Sequence, residues 1–177
     1  MNIITSSSKN KVANVDKPLI KPRSDIHISL YGLLFSEVVQ YCQNRASSIT
    51  EIQAKLADLG QHVGQRVMDV QAVREKNFKR ETKLIQMLIT IKTTVWKNLF
   101  GKEADKLEQA NGDDKTYYII DQDPLVNRFI SMPKDLMNLN CAAFMAGIVE
   151  AIMIGANFPC KVTACWHNGT TFIIKLS

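Results

Sequence analysis

The sequence predicts an α+β fold of four helices and four strands, because its hydrophobic spacing changes partway along the chain. Before Gly101 apolar side chains recur at three- and four-residue steps, the period of a helix. Beyond Gly112 short β-favouring runs alternate with turn residues, and Asn168-Gly169 stands between two such runs as a hairpin signal. At 177 residues the chain is long enough for one core and short enough to need only one.

Residues 1–24 are rich in Ser, Asn and Lys and are broken by Pro18 and Pro22. They form no amphipathic face, so they are expected to be a basic, flexible arm ahead of a single domain over 25–177. Leu30, Leu33, Leu34, Val38 and Tyr41 share one side of a first helix. Ser48 and Glu51 form a capping box that opens a second, whose stripe runs Ile52, Leu56, Leu59, Val63, Val67, Val70. Gly60 and Gly64 lie one turn apart beside that stripe. A helical glycine is about 0.8–1.0 kcal/mol worse than alanine, so two of them point to another backbone approaching closely, by a helix crossing or a partner.

A charged joint, Arg74 to Lys83, precedes a third helix marked by Leu84, Leu88, Ile91 and Val95 and ending near Gly101. Around the turn Gly112-Asp113-Asp114 a strand pair is expected over Lys106 to Asp121. Asn140 is placed to cap a helix through Phe144, Ile148 and Ile152, with Gly155 as its stop. The terminal hairpin joins Lys161–Trp166 to Thr170–Leu176. A two-residue turn sets His167 opposite Thr170, Trp166 opposite Thr171 and Cys165 opposite Phe172, which leaves both faces partly apolar. The second apolar face then needs a cover, either the arm or another protein.

Net charge is +5, of which the stretch up to Ile28 holds +3 through Lys9, Lys11, Lys17, Lys21 and Arg23 against Asp16 and Asp25. The arm lacks the density and aromatic interleaving of a nucleic-acid surface, so no nucleic-acid partner is expected. The four cysteines form no C-x-x-C pair and the three histidines are scattered, which predicts free thiols, no metal and no cofactor. Met1 to Ser8 has no signal-peptide pattern, and the apolar stretch Leu136 to Pro159 is too interrupted for the roughly 20 residues a span needs. A cytoplasmic protein is expected.

No catalytic constellation emerges. Cys165 and His167 share a strand face but stand roughly 7 Å apart, beyond hydrogen-bond reach. Glu150, alone in an apolar helix, is more in keeping with a helix-edge or interface carboxylate than with a buried base. No catalytic residue is assigned and no enzyme is expected.

The local strings add a family. Tyr31-Gly32-Leu33, the run from Leu56 through Gly60 and Gly64 to Arg66, and Arg80-Glu81-Thr82 resemble the shared marks of the small-subunit superfamily of the TRAPP (transport protein particle) complex. FGKEADKLEQAN from Phe100, NCAAFMAGIVEA from Asn140 and FPCKVTACWHNGTT from Phe158 are more specific marks of one branch, and the similarity spans about Ser24 to the C-terminus. The resemblance implies an α/β plait, a twisted four-stranded antiparallel sheet packed against about four helices. It further implies helix-mediated heterodimers with other TRAPP subunits, in a tethering complex of endoplasmic reticulum to Golgi transport. That complex acts collectively as a Rab GTPase exchange factor and is peripheral to the cis-Golgi and endoplasmic reticulum, with membranes met only indirectly.

Tyr31, Leu34, Gly60, Gly64 and Trp166 are the candidate interface residues. An acylated member of the superfamily carries a cysteine just ahead of the R-E-T mark, where this chain has Lys76 and Asn77, which speaks against acylation here. The alternative reading is a small hydrophobic-ligand-binding domain resembling the 4-vinyl-reductase type.

Overall fold

In the computed structural model residues 27–74, 81–131, 133–167 and 169–177 are described. The predicted arm and most of the charged joint, with Lys76 and Asn77, lie outside them. Helix α1 spans Ile28–Gln43 and α2 spans Ile49–Arg74. A third helical rod follows as α3 (Leu84–Thr90), a π-helical segment (Ile91–Val95) and α4 (Trp96–Phe100). Strands β1 (Lys106–Gln109) and β2 (Thr116–Asp121) form a hairpin. After the short α5 (Leu125–Arg128) come α6 (Ala143–Gly155) and the terminal hairpin β3 (Cys160–Trp166) and β4 (Thr170–Leu176). The sheet is antiparallel throughout with strand order β1-β2-β4-β3, so the expected α+β architecture stands.

Local chemistry starts and stops these elements much as the sequence implies. Ser48 Oγ accepts the Glu51 N–H at 3.2 Å, but the Glu51 carboxylate reaches one residue further back than expected, to the N–H and hydroxyl of Ser47 at 2.9 Å each. The predicted third helix is continuous but not regular: the Trp96 N–H reaches back five residues to Ile91 O, and both Val95 and Trp96 end up inside. Asn140 Oδ1 accepts the Ala142 N–H at 3.0 Å at the entry to α6. The helix stops at Gly155 as expected, and the left-handed residue that closes it is Asn157, two positions on, with φ +71°. Its N–H reaches Ile154 O and the Phe158 N–H reaches Met153 O, both at 2.9 Å, a left-handed cap that closes the last turn.

The terminal hairpin corrects the predicted register by one residue. Trp166 pairs with Thr170, Cys165 with Thr171 and Ala164 with Phe172, across a three-residue loop. Gly169 has φ +89°, and a Cβ there would lie 2.4 Å from Gln122 Cα, so this glycine serves a close approach to the end of β2 as well as the turn. The shift gathers Val162, Ala164, Phe172, Ile174 and Leu176 on one face, with Tyr117 and Ile119 of β2. The register shift therefore concentrates the hairpin's apolar residues on the core face, while the opposite face stays partly apolar through Cys165 and Ile173. The opposite face mixes Lys161, Thr163, Cys165, Thr171, Ile173 and Lys175.

The core lies between that apolar face and the helices, and α6 fills its centre: every residue from Met145 to Met153 is buried. Helix α2 crosses it with backbones almost touching. A Cβ on Gly60 would sit 2.0 Å from Phe144 O, one on Gly64 2.5 Å from Ile148 O, and one on Gly147 1.9 Å from Ala57 O. No side chain fits at any of the three. Gly60→Ala is expected to lower folding stability by about 2 kcal/mol or more through overpacking. Gly155→Ala, where nothing lies within 4 Å of the added methyl, should be neutral or stabilising by a few tenths of a kcal/mol. Urea denaturation midpoints of the two variants check the contrast.

Candidate functional site

The buried polar groups show what the interior chemistry does. Glu150 is 5% exposed at the middle of α6. Its carboxylate accepts from Gln61 Nε2 at 2.8 Å, Lys161 Nζ at 3.1 Å and the Val162 N–H at 2.8 Å, joining α2, α6 and β3. Asp121 is fully buried and accepts from Trp96 Nε1 at 2.9 Å, Lys102 Nζ at 2.5 Å and the Asp123 N–H at 3.1 Å. Both carboxylates are occupied by structural donors, as buried charges require. Neither has the open, poised setting of a general base.

The thiols are equally quiet. Cys42, Cys141 and Cys160 are buried and free, and burial pushes Cys141 up to about 12 and Cys160 to about 11. Cys165 is half-buried; its Sγ donates to Thr171 O at 3.5 Å rather than to His167, and burial raises it too. None of these settings makes a thiolate nucleophile. Among the described residues no helix is long and apolar enough to cross a membrane.

What remains unsatisfied lies outside, on α1. The stripe that the sequence places on one helical face is real, but that face is turned to solvent: Leu33 is 68% exposed and Leu34 64%, with Leu30 and Tyr41 also more than half exposed. The residues α1 does bury are Phe35, Val39 and Cys42. The helix has two apolar faces where the sequence pattern marks one. On α2 the stripe starts in the core at Ile52 and Leu56, then turns outward so that Val63 and Val70 become exposed. There Val63, Val67 and Val70 line a groove of about 500 Å³ against Leu99 of α4, with His62 and Arg66 at its rim. Sequence reasoning did not assign that groove, although the three valines that end the six-residue stripe were its visible trace.

The five candidate interface residues divide. Leu34 is on the open face of α1. Tyr31 packs inward instead, stacked on Phe35 at 5.8 Å; burial pushes its phenol up to about 12, and its hydroxyl has no hydrogen-bond partner among the described residues. Gly60 and Gly64 are buried in the α2–α6 crossing, which meets the close-approach requirement inside the chain. Trp166 closes the edge strand and stays 55% exposed.

The chain matches the family described as "Transport protein particle (TRAPP) component" over residues 31–177. It is 54% identical over 168 residues to "Trafficking protein particle complex subunit 5" of Mus musculus, covering 95% of this chain and 89% of that one. The protein of the same description from Dictyostelium discoideum is 52% identical over 161 residues, covering 91% and 86%. Among solved structures, a trafficking protein particle complex subunit 3 from Naegleria fowleri, covalently bound to palmitic acid, superposes with a TM-score of 0.75 at 13% identity, over 85% of this chain and 95% of that one. That likeness carries the fold.

Two outcomes test the interior. Glu150→Ala, which strips the carboxylate from two side-chain donors and a buried N–H, is expected to lose about 2–4 kcal/mol in equilibrium unfolding. The Cys141 thiol stays neutral in the folded chain while the unfolded chain ionises near pH 9, so the folded state binds more protons there. Stability should therefore fall as pH rises from about 9 toward 12, by up to about 1.4 kcal/mol per pH unit from this group, and Cys141→Ala should flatten that slope. Denaturation midpoints across that range read it directly.

Proposed function

As the chain belongs to the transport protein particle (TRAPP) component family, we propose that it is a core, non-catalytic subunit of a TRAPP vesicle-tethering complex, docked to a sister subunit through the outer face of α1. The observation that carries the reading is the exposed row Leu30, Leu33, Leu34 and Tyr41. Full burial of one such side chain is worth about 1.5–3 kcal/mol, so a row of four is an apolar face that a partner would stabilise strongly. A helix packing along α1 is the complementary shape, since the row follows helical spacing.

In this reading the chain supplies shape rather than reaction chemistry. Its buried carboxylates and thiols are committed to the fold, and nucleotide exchange on a Rab GTPase belongs to the assembled complex. The complex works in the cytoplasm, peripheral to the endoplasmic reticulum and cis-Golgi, and membranes and the GTPase are reached through it. The curated relatives are complex subunits by description, which favours this reading over a small-ligand-binding domain.

Leu33→Asp combined with Leu34→Asp tests it. Both positions are exposed, so the variant should keep its far-UV circular dichroism when isolated. Its co-purification with sister subunits is expected to fall by about 30-fold or more, the equivalent of losing roughly 2 kcal/mol of contact. A variant that co-purifies as well as the unmodified chain removes α1 as the docking face.

A further inference from the structure

The outer row of α1 carries one charge. Glu37 is the sole charged side chain of the helix, which has neither an acid in its first turn nor a base in its last. It is exposed, and it lies four residues after Leu33 and four before Tyr41, so helical spacing sets it inside the apolar row rather than beside it.

The fold supplies that carboxylate with no counter-charge. Among the described residues no cation stands within ion-pair distance of it. Lys55 and Arg45, the cations close enough to act on Cys42 of α1, are engaged elsewhere. Lys55 lies 3.5 Å from Glu51, and the Arg45 guanidinium sits 3.9 Å above the ring of Tyr41. Glu37 is therefore at ease in water and costly under an apolar cover. Taking an ionised carboxylate out of water without an opposing cation offsets the gain of burying the leucines around it. The row selects its occupant by charge as well as by shape.

A second copy of this chain is a poor occupant. Two α1 helices paired in parallel set the two Glu37 side by side, where like charges repel, and antiparallel helices centred on the row set each Glu37 against Leu34 of the other copy. Neither arrangement brings a cation to the carboxylate, because α1 contains none. Only an antiparallel pairing slid toward Tyr41 brings Arg45 opposite Glu37, and that leaves Leu30 and Leu33 beyond the end of the other helix.

We infer that the α1 face takes a helix of a different polypeptide that sets a basic side chain, Arg or Lys, against Glu37 inside the apolar seam, and that Glu37 thereby distinguishes a sister subunit from a second copy. The inference rests on the docking role proposed for α1 and adds the chemistry of its occupant. A charge pair in the middle of an apolar seam also fixes the register of the two helices, since a slip of one turn separates the pair.

Competition measures it. The full-length unmodified chain and a full-length variant, carrying different tags, compete for the sister subunits, and the share each captures is counted by peptide mass spectrometry of the purified complexes. Glu37→Gln is expected to lose about tenfold and Glu37→Lys about a hundredfold or more, with Glu37→Leu no better than Glu37→Gln despite its added apolar surface. Glu37 is exposed and bonds nothing in the fold, so these variants have no folding reason to fail. A Glu37→Gln or Glu37→Leu chain that captures as large a share as the unmodified chain overturns the inference. If the chain with Leu33→Asp and Leu34→Asp still loses its share, the docking face stands and only the charge pairing falls; if it too captures fully, the α1 reading falls as well. Self-association of the unmodified chain that this double substitution abolishes also overturns the inference, by seating a second copy on the row.

Discussion

The structure depends on one contact, the crossing of α2 over α6 at Gly60, Gly64 and Gly147. Three carbonyl oxygens occupy the space where side chains would start, so the two helices meet backbone to backbone. A helix held that tightly cannot slide or roll without a clash, which fixes the angle at which α6 lies on the sheet. Glu150 uses that fixed position: it bonds Gln61 of α2 and the Val162 N–H of β3 at once, and a small shift of either helix would break one of them. The glycines set the distance and the carboxylate sets the register.

Because α2 spends its glycine face on α6, its valine face has nowhere inside to go. The stripe runs out onto the surface at Val63 and Val70, and α1 presents Leu33 and Leu34 beyond it. The apolar exterior follows from the way the core is satisfied. It makes the fold complete as a packed body and incomplete as a surface, which is what membership of a multi-subunit family leads one to expect.

Much of this was legible in the residues. Helical spacing located α1, α2 and α6, and the glycine pair announced the close approach before its partner was known. Periodicity reports that a face is apolar, however, and says nothing of which side the core lies on. In α1 the more conspicuous row, Leu30 to Tyr41, faces outward, while Phe35, Val39 and Cys42, spaced just as well, face inward. The hairpin failed for a different reason. Asn168-Gly169 favours a two-residue turn locally, but Gly169 is held against Gln122, just past the end of β2, and that tertiary contact selects the three-residue loop. One residue of register then moved every side chain of β3 relative to β4. The end of α6 shows the same limit on a smaller scale: the helix does end at Gly155, yet the left-handed backbone that closes it belongs to Asn157.

The bond from Glu150 to Val162 reaches beyond the interior. β3 is seven residues long and lies at the border of the sheet, so its outer amides are a ready template for a strand from another polypeptide. Glu150 already occupies the amide at Val162, and Lys161 adds a charged stem beside it. The strand border is thereby a poorer template for strand-to-strand pairing than its length alone would make it.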